Sequence, residues 1–160
     1  MVLGFFALCG SALLLAIVAA SAGAADELPM RKPGYWENKG RMDKMPAAAR
    51  SSIWHECVNA ASEKKLGLTG DVAKKMCPKI NVQRTGNGYV VDTECIIGNN
   101  SIAQHMEITG SFESATTVKT SEATTEAKWL GACPADWKAG DQDLPGMPGR
   151  KVDRMDLTGD

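Results

Sequence analysis

Four of the five cysteines, both histidines and three of the four tryptophans carry the side chains of this chain that invite a chemical reading. Cys57, Cys77, Cys95 and Cys133 contain no C-x-x-C pair, so the spacing does not point to zinc, and an oxidised pair would leave no thiolate to ligate a metal or attack a substrate. His55 stands two residues before Cys57, which puts both side chains on one face of a strand and makes a Cys-His nucleophile geometrically allowed; oxidation of Cys57 removes it. His105 and Glu107 also share a strand face and form a candidate polar site, the acid-base pair that a hydrolytic enzyme would need. No third group is placed by spacing to orient either histidine, and no residue is assigned a catalytic role. Met42, Met45, Met147 and Met155 are soft thioethers of the kind that hold Cu(I), but scattered methionines more often fill gaps. No metal and no cofactor is expected. Trp36, Trp54 and Trp129, with Tyr89, all fall in strand-like stretches and are the candidate lining of a cavity for an apolar or envelope-derived small ligand.

The cysteines make sense only in an oxidising compartment, and the start of the chain supplies one. Met1 to Ala25 carries no charged side chain, is rich in Leu, Ala, Ile, Val and Phe, and ends in Ala20-Ser21-Ala22-Gly23-Ala24-Ala25. An apolar run closing on small residues is the pattern of a cleaved secretory signal, predicted here over residues 1–25. The remaining chain is then periplasmic or secreted, where disulfides persist, with no membrane span after cleavage. Its 18 basic and 19 acidic residues cancel, which leaves no field to attract nucleic acid.

Periodicity places the elements. Tyr35 to Lys39 is a short strand, and from Ser51 the residues Ile53, His55 and Cys57 alternate with Trp54, Glu56 and Val58 in a second. Asn59 caps a helix over Ala60 to Leu66 that Gly67 ends, and Thr69 is the expected cap of a second helix over Gly70 to Met76. Ile80 to Arg84 and Tyr89 to Cys95 flank Thr85-Gly86-Asn87-Gly88, a hairpin signal carried by Asn-Gly. Ile102, Met106, Ile108 and Phe112 alternate with His105, Glu107 and Thr109, one face dry and one wet, and two Thr-rich stretches over residues 116–120 and 124–130 follow as a further hairpin. Beyond Cys133 the alternation stops. Residues 26–135 form the expected β-rich domain, and residues 136–160 a flexible tail.

Cys77 and Cys95 lie at nearly equal distances from the hairpin turn and are suited to bridge its open end, leaving Cys57 with Cys133. The dry faces of the two strands require an odd residue opposite an even one, whereas Cys77 opposite Cys95 requires two odd ones. Either a one-residue bulge or the break at Pro78 reconciles them. Four cysteines allow three connectivities, and a Cys57 to Cys77 bridge across the helical segment is the alternative.

Pro33-Gly34-Tyr35-Trp36-Glu37, the cysteine closing the second strand, the Cys-hairpin-Cys middle and Lys128-Trp129-Leu130-Gly131-Ala132-Cys133-Pro134 together resemble domain-of-unknown-function family 3617, small exported bacterial proteins. The resemblance covers roughly residues 33–141 and rests on a Gly-x-Trp opening and a Gly-x-Cys close. It implies a periplasmic, mostly antiparallel β domain without an assigned activity. The fold expected is thus mainly β with one or two short helices, a β-rich α+β arrangement in which a curved antiparallel sheet or partial barrel is stapled by two disulfides. The function expected is non-catalytic binding or envelope maintenance; the alternatives are the hydrolase built on His105 and Glu107, or a module that contacts an unknown protein partner through its tail.

Overall fold

The computed structural model describes residues 27–46, 49–145 and 147–157; the expected signal lies outside them. The protein is mainly β, with one open antiparallel sheet of nine strands and three short helices among the described residues. In chain order the elements are β1 (Gly34–Met42), β2 (Ser51–Val58), α1 (Ala60–Leu66), α2 (Asp71–Met76), β3 (Lys79–Thr85), β4 (Gly88–Ile97), β5 (Asn100–Ser111), β6 (Ala115–Lys119), β7 (Ala123–Gly131), β8 (Asp141–Leu144), β9 (Met147–Asp153) and α3 (Arg154–Leu157). Across the sheet they run β3-β4-β5-β6-β7-β1-β2-β8-β9.

Strand register sorts the side chains into two faces, because residues directly opposite one another point the same way. Val82 opposes Val91, Val91 opposes Met106, and Ile108 opposes both Tyr89 and Val118. The series continues through Thr116, Ala127, Asn38 and Trp54, and Trp36 opposes Glu56. Two apolar clusters lie on this inner face. Val82, Val91, Met106 and Ile108 form one, with Leu28 and Phe112 packed against it; Trp36, Val58 and Ala127 form the other, with Trp129 at its edge. The opposite face carries His105 and Glu107, as the alternation of β5 requires.

Between β2 and β3 the chain must pass β1, β7, β6, β5 and β4. Residues 59–78 carry this crossover, as seven helical residues in α1 and six in α2 joined by a bend at residues 67–70. Asn59 begins it as expected: its side chain accepts from the Ser62 amide at 2.9 Å while Ser62 Oγ accepts from the Asn59 amide, a reciprocal cap. Gly67 closes α1. The second cap differs from the expectation, since Gly70, not Thr69, precedes α2 and no side chain caps it. Gly70 stands there because a Cβ would lie 2.7 Å from the Lys64 carbonyl oxygen, where the chain doubles back on α1.

Both ends of the crossover are tied by disulfides, Cys57 to Cys133 and Cys77 to Cys95. The register conflict is resolved at Pro78. Pairing from Lys79 with Glu94 to Thr85 with Gly88 runs without a shift, and Cys77 sits outside β3 as the residue closing α2, free of strand alternation. The hairpin turn is Gly86-Asn87, one residue earlier than the Asn-Gly signal, with neither residue at positive φ. Gly88 serves β4 against β5 instead: a Cβ there would fall 2.0 Å from the Ile108 carbonyl oxygen.

Residues 136–160, expected as a flexible tail, include β8, β9 and α3. Gln142 pairs with Glu56, and β9 folds back on β8. Four-residue β8 is too short to give a periodic signal, and it is held by long-range contacts, among them the Gly140 amide donating to the Cys57 carbonyl.

Gly34 and Gly131, the glycines of the two family-like markers, adjoin one another where the β1–β7 register shifts between Tyr35 and Trp36. Their φ angles are 139° and 134°, and a Cβ on Gly34 would meet the Gly131 carbonyl oxygen at 2.3 Å. Gly34→Ala is therefore expected to destabilise the fold by about 2 kcal/mol or more, measured by urea unfolding. In the same assay without reductant, the chain-entropy relation expects a loss of about 4.5 kcal/mol for the Cys57→Ser, Cys133→Ser pair and about 3 kcal/mol for the Cys77→Ser, Cys95→Ser pair, the order following sequence separations of 76 and 18.

Candidate functional site

The crossover does not press flat onto the sheet. Between α1–α2 and the inner face lies a groove of about 970 Å³, bordered also by the segment Glu27–Arg31. Its floor is apolar, built from Trp54, Ile80, Ile108, Phe112, Val118 and Ala127, with Leu66 and Leu68 opposite on the crossover. These side chains alternate with solvent-facing ones along each strand, so the sheet register itself assembles the floor.

One end of the groove is closed by buried charge. Glu56 is 7% exposed and points inward from β2. Arg31 donates to it through Nη1; its Nη2 lies 2.6 Å from Glu63 Oε1 and its Nε 3.1 Å from the same oxygen. Asn38 Nδ2 donates to Glu56 Oε1 at 3.1 Å, and Arg154 Nη1 to Oε2 at 3.3 Å. Burial works against the charged form of Glu56, but Arg31 above all, then Arg154 and Asn38, outweigh it and hold the carboxyl below its ordinary value. Burial likewise disfavours charged Arg31, and Glu56 and Glu63 overcome that and raise it. The cluster ties the N-terminal segment, β1, β2, α1 and α3 together at one point.

A second polar cluster lies on the outer face. His55 Nδ1 is 2.9 Å from Asp143 Oδ2, and its amide donates to Oδ1 at 2.5 Å. Nε2 is 3.7 Å from Glu37, and the ring stacks on Tyr35 at 5.2 Å between centroids, with Trp137 edge-on beyond. Burial, followed by Asp143, Asp136 and Glu37, pushes the Tyr35 phenol above its ordinary value. Cys57, the nucleophile that the spacing allows beside His55, is consumed by its disulfide.

The residues singled out from sequence are dispersed. Trp54 lines the groove. Trp36 shares its face but is wholly buried, with Nε1 donating to the Lys32 carbonyl. Tyr89 packs edge-on against Phe112, and Trp129 lies under Lys32, whose Nζ is 3.8 Å from the ring centroid. His105 Nδ1 is 2.6 Å from Asp92 rather than paired with Glu107, and both partners are open to solvent. Arg31, Glu56, Glu63 and Arg154 were not singled out. The alternation of β2 did carry a signal, because Glu56 falls in phase with Trp54 and Val58 and must face inward.

A family model described as protein of unknown function (DUF3617) matches residues 31–133. The chain belongs to that family. No curated protein and no solved structure matches it. The DUF3617 match opens at Arg31, the hub of the buried cluster, and closes at Cys133, the far end of one disulfide. It takes in the groove floor, the crossover and both disulfides, while β8, β9 and Arg154 lie beyond it. Among the described residues of this DUF3617 protein, no helix is long and apolar enough to cross a membrane.

Removing Glu56 takes from Arg154 its counter-charge in the cluster and leaves Arg31 with Glu63 alone. Glu56→Leu is expected to cost about 3–5 kcal/mol, read by urea unfolding. Because the folded pKa of Glu56 is depressed, its contribution is present above its ordinary value of 4.5 and is lost as pH falls through the folded value. The stability difference between wild type and Glu56→Gln should accordingly shrink as the pH is lowered through 4.5 and below; a difference that stays constant there would contradict the assignment.

Proposed function

We propose that this protein is exported, and that it acts without catalysis by holding an apolar, envelope-derived small ligand in the groove between the sheet and its helical crossover. The observation that carries this reading is the groove itself: an apolar floor drawn from β2, β3, β5, β6 and β7, left open because α1 and α2 span the sheet without filling it. A volume near 970 Å³ falls at the upper end of the roughly 300–1,000 Å³ of small-molecule sites. The charged cluster supports the same reading, since it fixes the groove end and so preserves the space when empty. Export is supported by the apolar, uncharged leader and by two disulfides, which need an oxidising compartment.

Native mass spectrometry of the protein purified from its own envelope fraction, without reductant, is the direct test. An added mass that is released on denaturation is expected, and Val118→Asp, which places a charge on the apolar floor, should abolish it while the far-ultraviolet circular dichroism stays that of the wild type. A bare mass for wild type, together with no uptake of an added apolar probe, would overturn the reading.

A further inference from the structure

Resting on the groove reading, we propose that the ligand is a single-chain amphiphile with an anionic head, its hydrocarbon lying along the floor and its head at Lys64 and Lys74. The groove runs across the strands: Ile80 on β3 lines one extreme and Gln142 on β8 the other. Those two residues stand seven strand spacings apart in the sheet, each about 4.8 Å, so the groove is elongated across the strands, a shape that suits an extended hydrocarbon chain better than a compact ligand.

The head follows from the charges along the same lining. Glu56 and Glu63 are neutralised by Arg31 and Arg154 and turned into the wall. Lys64 in α1 and Lys74 in α2 border the groove from the crossover, are exposed, and have no ion-pair partner among the described residues. Among the described residues of the lining, Glu27 is the one acidic residue outside the cluster, and it lies on the N-terminal segment rather than on the crossover. Two unneutralised ammonium groups beside an apolar trough favour a carboxylate or phosphate head, and because they remain in water they allow that head to stay hydrated while only the chain is buried.

The test uses the full exported chain and titration calorimetry, with dodecanoate, dodecyl phosphate and dodecyltrimethylammonium each below its micellar concentration. The two anionic amphiphiles are expected to bind with one-to-one stoichiometry and at least about tenfold more tightly than the cation, a preference that weakens as salt screens it. Lys64→Glu with Lys74→Glu should reverse the order, whereas Val118→Asp should remove binding of all three. Equal binding of anion and cation would overturn the head assignment and leave the groove reading standing; no binding of any amphiphile would overturn both. Acetate or inorganic phosphate binding as tightly as its dodecyl counterpart would show a free-anion site and overturn the assignment of the chain. A two-chain phosphatidic acid binding more tightly than dodecyl phosphate would overturn the single-chain assignment.

Discussion

The chain leaves the sheet at the end of β2 and rejoins it at the β3 edge, with five strands in between. Antiparallel neighbours need only short turns, but this one connection has to cross a whole face. A helical segment spans the distance with its backbone hydrogen bonds satisfied internally, and a cylinder laid over a sheet leaves space beside it. The groove is a consequence of that geometry. Disulfides stand at both ends of the crossover, at Cys57 and Cys77, where a segment with few contacts to the strands would otherwise lift away.

The buried ionic cluster acts on the same segment from its middle. Glu63 belongs to α1, Glu56 to β2 and Arg31 to the stretch before β1, so one guanidinium joins the crossover, the sheet and the N-terminal segment. Arg31 also lies over the Trp36 ring, 5.5 Å from its centroid, which couples the ionic wall to the buried apolar cluster. Such a network is costly to desolvate and costlier to leave half-paired. It suits a protein whose core must stop short of filling the space beneath its helices.

Much of the strand pattern was legible because alternation survives in single strands. His105 and Glu107 on a wet face, Met106 and Ile108 on a dry one, and the reciprocal cap at Asn59 all follow from local rules. The β8–β9 hairpin was not legible: its strands are short and take their order from Glu56 and Cys57, far away in the chain. The hairpin turn shows a different failure, since Gly88 reads as a turn residue and is instead required by the approach of β5.

The sequence by itself determined the mainly β class, most strand positions, the helical segment and the shared phase of Trp54, Glu56 and Val58, because each depends on residues only a few positions apart. Only the tertiary structure decided which strands are neighbours, how Pro78 frees Cys77 to reach Cys95, that Asp143 rather than a cysteine meets His55, and that Arg31 and Arg154 neutralise Glu56. The groove belongs wholly to this second kind. Its floor comes from strands separated by as much as the whole crossover, and an empty space between elements leaves no periodicity in the residues that border it.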